Sequence, residues 1–441
     1  MEDRRDPQPG DCRFLARRLE ESMRFAPLLV LLLVTAGVAG FRVARVVPDP
    51  IYRVASGSMA PHLSGPHVDF TCQECQFRSM LDAAVELPAE ATCPNCGSTG
   101  PLTDAEILPG SALRWEAVPA DQLRRFDLVV IAGPTIDTPY MVKRIAFLPG
   151  ETPRIAQGEL QRGGSLLRKT PREREALKLL VYDQSHPGGE FERFLSERIS
   201  GSGWDIRPGS IGYVPLAERR QAGPDPLIYH HRSCLPPPSP SDRDAAPKDS
   251  YAYNHSVSRE LFPANDLWLE WRFRHWKANA IVLTLRGKDS NASIRIDTSQ
   301  QTVRAESAVG SVELPLEINS LQGFTARAGQ CDGKLFLELE RLGRHLRFPL
   351  VASEVELSAQ PFAIAIEGGP AVLREPKVYR DIVWLGAQRR TDAWSLERKL
   401  SPHEIFVLGD NVPISDDSRF ELGPIDVRKH LRGKVLRVVA E

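Results

Sequence analysis

Residues 140–147 read Tyr140-Met141-Val142-Lys143-Arg144-Ile145-Ala146-Phe147. The stretch is short and apolar with a β-branched share, and it reads as a strand. With side chains alternating between faces, Lys143 shares a face with Met141, Ile145 and Phe147. That face is apolar apart from the lysine, so Lys143 points into a core or a dry cleft. Burial disfavours an ammonium and lowers its pKa. A lysine base working near neutral pH needs a drop of about three units, which costs roughly 4 kcal/mol. The bland alternative is an ordinary lysine whose head snorkels out of the strand face.

Working outward, Phe126-Asp127-Leu128-Val129-Val130-Ile131 reads as a second strand, and Gly133-Pro134 marks the turn between the two. A helix is expected around Arg172–Asp183, and the proline-rich run Leu235–Ser241 reads as a linker. Residues 265–385 hold regular short strands: Leu267–Phe273, Ala280–Leu285, Ser293–Asp297, Leu335–Leu339 and Phe362–Ile366. Asp332-Gly333 and Leu342-Gly343 supply turns between them. This pattern predicts a β-sandwich, of concanavalin- or laminin-G-like character only in general terms. A chain of 441 residues, 42% of them hydrophobic, has material for two or three domains and more than one core. The net charge of −1 provides no basic field, so nucleic acid is not an implied partner.

Phe25–Phe41 is seventeen residues without a charge, and the apolar character resumes after Arg42 and Arg45 to Val47. It is expected to be a transmembrane anchor over 25–47, behind a polar tail at 1–24. The competing reading is a cleaved signal peptide ending near Val38-Ala39-Gly40. Arginines are about equally frequent on both flanks, so charge does not decide the orientation.

Beyond the anchor lies Ser56-Gly57-Ser58-Met59-Ala60-Pro61, and far downstream Gly409-Asp410-Asn411 followed by Ser415, Asp417, Ser418 and Arg419. Together with Lys143-Arg144 and Leu148-Pro149-Gly150, these three motifs in this order resemble the type I signal peptidase family, the bacterial leader peptidases. The resemblance covers about 130 residues, roughly 26–69, 112–152 and 398–441. It implies an all-β catalytic core of coiled antiparallel sheets. It also implies Ser58 as nucleophile and Lys143 as general base, with the Ser58 N–H and the Ser56 hydroxyl as oxyanion hole. Ser415 would orient Lys143, Asp417 and Arg419 would brace that loop, and Asp410 would pair with Arg144. No cofactor is implied for catalysis. The expected partners are the lipid bilayer and exported preproteins with Ala-x-Ala sites. The expected location is the plasma membrane, single-pass, with the catalytic domain on the extracytoplasmic side. The sequence departs from the family pattern at several places: Ala55 for proline, His62 for threonine, Phe126 and Phe147 for glycine.

Two insertions interrupt the core. The first carries Cys72-x-x-Cys75, then seventeen residues, then Cys93-x-x-Cys96, with Pro94-Asn95-Cys96-Gly97 as a tight knuckle. That spacing fits a structural four-thiolate zinc ribbon, with two disulfides as the alternative. Cys12, Cys234 and Cys331 are scattered and carry no pattern. In the second insertion Trp268, Trp271 and Trp276 form either core packing or a sugar-binding platform. Asn254-His255-Ser256 and Asn291-Ala292-Ser293 match glycosylation acceptors.

The expected organisation is therefore mainly β. The tail (1–24) and the anchor (25–47) come first, followed by a catalytic core in three segments. The nucleophile segment spans 48–69, the general-base segment 112–152 and the C-terminal segment 397–441. Between them lie the zinc-ribbon-like insertion (70–111) and the sandwich-bearing insertion (153–396). The implied function is removal of signal peptides from exported preproteins. The alternatives are a narrow-target Ser/Lys maturation protease and a non-catalytic surface-binding protein.

Overall fold

The computed structural model describes residues 51–439, apart from 103–104, 134–138, 189–191, 199–200, 217–224, 236–243 and 354. The anchor at 25–47 and all of the linker except Leu235 lie outside these residues. Among the described residues, no helix is long and apolar enough to cross a membrane.

The architecture is mainly β, built from several antiparallel sheets. One sheet is assembled from distant stretches of the chain. Its strands run Ala112–Glu116, Leu431–Val439, Leu128–Ala132, Tyr140–Phe147, Glu404–Leu408, Ile425–Asp426. Val129 stands opposite Lys143, and Val407 opposite Ile145. The apolar runs Leu128–Ala132 and Glu404–Leu408 are central strands buried on both faces, which explains why neither alternates cleanly. Met141 and Ile145 pack with Val129, Ile131 and Val407. Phe147 packs elsewhere, against Phe406, because the pairing slips between Phe406 and Val407.

The second strand begins at Leu128 rather than Phe126. Phe126 takes a left-handed backbone, φ 62°, at a position where the resemblance has glycine. A conformation of that kind costs on the order of 1 kcal/mol for a residue with a Cβ. Burial of the ring, 5% exposed, offsets it.

Residues Arg172–Asp183 are not one helix. Thr170 caps a helix over Pro171–Leu177, with its hydroxyl accepting from Glu173 N and the Glu173 carboxylate accepting from Thr170 N. The apolar run that follows becomes the strand Leu179–Asp183.

Residues 179–380 fold largely as two facing sheets around one extensive core. One runs Trp204–Arg207, Ser210–Tyr213, Ala371–Arg380, Leu267–Trp276, Thr325–Cys331, Lys334–Arg341, Arg344–Ala352, and Leu179–Asp183 also pairs with Ala371–Arg380. The other runs Phe194–Ser196, Leu227–Tyr229, Leu357–Glu367, Ala280–Gly287, Asn291–Asp297, Thr302–Ser307, Gly310–Pro315. A separate four-stranded sheet, Ser165–Leu166, Glu159–Arg162, Pro153–Ala156, Trp394–Ser395, lies outside this core. The expected strands are all present and mostly longer. The Asp332-Gly333 and Leu342-Gly343 turns have positive φ at both residues, the conformation that two-residue hairpin loops require. Trp268, Trp271 and Trp276 are 2%, 2% and 5% exposed, so they are packing residues and present no platform.

The cysteine segment is a small lobe of a three-stranded sheet, Arg78–Asp82, His67–Thr71, Ile107–Leu108, and a hairpin, Glu90–Thr92 with Thr99–Pro101.

Candidate functional site

Ser58 lies in a single 3₁₀ turn, Gly57–Met59, whose Met59 and neighbouring Ala60 are 1% and 0% exposed. These buried neighbours fix the turn while Ser58 itself stays half-exposed and Ser56 exposed. The Ser56 hydroxyl lies 3.3 Å from the Ser58 hydroxyl. The Ser58 N–H is at the start of the turn, where backbone donors have no partner inside the helix.

The Gly409–Arg419 segment packs directly on this turn. Asn411 N donates to the Ser58 carbonyl at 3.1 Å, and its side-chain amide to the Gly57 carbonyl at 2.9 Å. A Cβ on Gly409 would lie 2.1 Å from Ser415 Oγ and 2.5 Å from the Ser58 carbonyl oxygen. No other residue fits at this crossing, which brings Ser415 beside Ser58.

Lys143 reaches the same place from its strand. It is 3% exposed and its Nζ donates to Ser415 Oγ at 3.0 Å. Burial lowers its pKa, and the negative charges of Asp417 and Asp416 only partly oppose that effect. Those carboxylates are remote or already engaged. Asp417 is fully buried and bridged to Arg419 through two 2.8 Å hydrogen bonds, and it also accepts from Gly409 N at 3.0 Å. Arg144 grips Asp410 in a two-pronged contact, 2.7 and 2.5 Å. Burial alone would raise the Asp410 carboxyl, but Arg144, with His62 beside it, holds it well below the usual range.

Four further side chains join the site, none of them assigned to it from the sequence. His62 Nδ1 sits 2.9 Å from Asp410 Oδ2, so the residue that departs from the pattern joins the Arg144–Asp410 pair. Tyr251, Tyr253 and Asn254 come from the middle of the large insertion, ahead of the strand Leu267–Trp276. Tyr251 OH donates to the Asp410 carbonyl at 3.1 Å. Asn254 and Asn411 exchange two amide hydrogen bonds of 2.7 Å. Tyr253 lies so close over Gly57 that a Cβ there would be 2.4 Å from its ring. Asn254 belongs to one of the glycosylation-like triplets, but its side chain is committed to Asn411. No local motif announces these residues, because their partners are more than 150 positions away.

The four cysteines Cys72, Cys75, Cys93 and Cys96 converge, with all four sulfurs within 4.8 Å of one another. The pairs Cys72–Cys96 and Cys75–Cys93 are each 3.6 Å apart, far beyond the roughly 2.05 Å of a disulfide. They match the sulfur–sulfur spacing of about 3.8 Å implied by a tetrahedral ion with 2.3 Å metal–sulfur bonds. The knuckles are closed by Gln76 N to Cys72 O and Gly97 N to Cys93 O, both 2.9 Å, and Gln76 and Gly97 adopt positive φ. The cysteines thus form a site able to hold a metal ion. Asn95 ties its knuckle to the sandwich, donating to the His186 carbonyl at 2.7 Å and accepting from Asp183 N at 2.7 Å.

A second buried cluster joins Asp266, Cys331, Asp332 and Asp381. The Lys169 ammonium already occupies it, paired with Asp332 and, at 2.7 Å, with Asp381. It is therefore an internal salt cluster in which lysine supplies the cation.

No family model and no curated protein matches the chain. Among solved structures it is similar to a galectin from Caenorhabditis elegans, at 16% identity over 26% of this chain and 83% of that one, TM-score 0.21. It is similar to a carbohydrate-binding module from Bacillus subtilis, at 11% identity over 43% and 96%, TM-score 0.25. A third is an exo-inulinase from Aspergillus awamori, at 12% identity over 65% and 62%, TM-score 0.21. Likeness at this level assigns nothing to this chain. It does correct the function that the motifs implied. The neighbours are carbohydrate-binding and glycoside-hydrolase proteins, and a membrane-bound signal peptidase acting on secreted preproteins is not the reading carried forward.

Proposed function

We propose that this chain is a serine hydrolase that attacks a carbonyl-linked bond, amide or ester, with Ser58 as nucleophile and Lys143 as general base. The observation that supports this most is Lys143 itself. It is a buried amine with no carboxylate in contact among the described residues, held by a neutral hydroxyl beside a half-exposed serine. A serine hydroxyl needs a base to take its proton, and a desolvated lysine is such a base. Lys143 takes the Ser58 proton as Oγ forms its bond to the carbonyl carbon. The oxyanion is met by the Ser58 N–H and the Ser56 hydroxyl, donors worth roughly 3 kcal/mol each in comparable sites. The proton then passes to the leaving group, and water repeats the sequence on the acyl-enzyme. Ser415 orients the amine, while Arg144–Asp410 and Asp417–Arg419 hold its surroundings.

The four-thiolate site is read as structural zinc. Cys72, Cys75, Cys93 and Cys96 would hold it, leaving no open position for chemistry.

The test is labelling of the full chain with a serine-directed fluorophosphonate and hydrolysis of small amide and ester substrates. Wild type should be labelled and active. Ser58→Ala and Lys143→Ala should each lose at least about 10³-fold in rate. Labelling that persists in Ser58→Ala would overturn the assignment.

A further inference from the structure

A cavity of about 220 Å³ opens where the cysteine lobe, the sandwich and residues 250–253 meet. Its walls are largely apolar, with Phe77, Met80, Leu180 and Leu235 among them. Its charged lining is of one sign: Arg78, Arg232, Lys248 and Arg380, with no aspartate or glutamate among the described residues.

The acidic neighbours are spent elsewhere. Asp249, next to Lys248, pairs with Arg259 at 2.8 Å. Asp381, next to Arg380, pairs with Lys169 at 2.7 Å. Arg380 is 3% exposed, and its guanidinium donates to the Asp381 and Ser250 carbonyls and stacks over the Tyr251 ring. Among the described residues no carboxylate stands within ion-pair distance of Arg78, Lys248 or Arg380. A guanidinium cannot shed its proton, and a buried charge without a counter-ion is costly. A ligand that brings the missing negative charge into an apolar cavity recovers that cost.

We infer that this cavity is a binding site for a carboxylate carried on an apolar chain. Arg380 and Lys248 meet the head, and the apolar walls hold the chain. The guanidinium fork matches a carboxylate's two oxygens. Two sources present this chemistry: a free alkanoate, and the C-terminus of an apolar peptide. The inference does not depend on the proposed hydrolase activity.

The experiment is calorimetric titration of the full chain carrying Ser58→Ala, so that nothing is consumed. Octanoate and N-acetylated Ala-Leu-Val-Leu are each compared with their uncharged counterparts, octanamide and the peptide amide. At least one acid should bind, with its amide at least tenfold weaker, and which acid binds identifies the source. Lys248→Glu is an exposed change that leaves the fold intact. It should weaken the acid at least tenfold and leave amide binding unmoved. Arg380→Met should do the same where it folds. The site is refuted if neither acid binds, if the amides bind equally well, or if Lys248→Glu has no effect.

Discussion

At the residue scale, the weight falls on one amine. Burial lowers the Lys143 pKa from the ordinary lysine value of about 10.4. Only the neutral form is a base, so kcat/KM should rise with pH through this lowered value and level off above it. An acid limb with its midpoint below that of a free lysine checks this, and a midpoint at the free value would remove Lys143 from the role. Ser415→Ala separates orientation from electrostatics. The hydroxyl accepts from the ammonium and so favours the charged form. Its loss should cut the rate by about ten- to a hundredfold while moving the acid limb to lower pH. A merely structural serine would change the rate without moving the limb.

At the element scale, the Ser58 turn is held by two segments that meet only in three dimensions. Asn411 binds the carbonyls of Gly57 and Ser58, and Asn254 in turn holds the Asn411 amide. Replacing either asparagine by alanine strands the other's buried amide, at about 1–3 kcal/mol by chemical denaturation. In a double-mutant cycle the two losses should fall short of additive by more than about 0.5 kcal/mol. Strict additivity would mean that the pair does not act as one clamp. The insertion is thereby tied into the Ser58 turn, through Tyr251 and Tyr253 as well as Asn254.

At the scale of the whole molecule, two buried charge centres set how stability responds to conditions. Metal-stripped protein should melt at a lower temperature, release about one zinc per chain, and expose its four clustered thiols to an aromatic disulfide reagent. Thiols that stay unreactive after chelation, with no metal released, would indicate disulfides instead. In the Lys169 cluster, burial and the adjacent Asp332 charge push Asp266 up to about 7. Its unfolded value is near 3.9. Between these values the folded state binds the extra proton, so this group costs stability as pH rises from about 4 to about 7. Asp266→Asn removes that cost. Its stability relative to wild type should therefore climb between pH 5 and pH 8 in urea titrations, and a flat difference would disprove the assignment.

The sequence by itself determined the mainly β class, the strand Tyr140–Phe147, most sandwich strands and the pairing of four cysteines into knuckles. These are local signals: two-residue periodicity, paired glycine turns and a ligand spacing. It also placed Ser58, Lys143 and Ser415 in short motifs with distinctive composition. The resemblance carried too far at the level of function, where motif order says nothing about what reaches the site. Only the tertiary structure decided that Phe126 turns left-handed, that Arg172–Asp183 splits into helix and strand, and that the tryptophans are core. The roles of His62, Asn254 and the Lys169 cluster were equally hidden. Each of these depends on partners from distant stretches of the chain. Propensity and spacing describe a segment against its own neighbours, whereas burial and charge pairing are set by whatever the fold brings alongside.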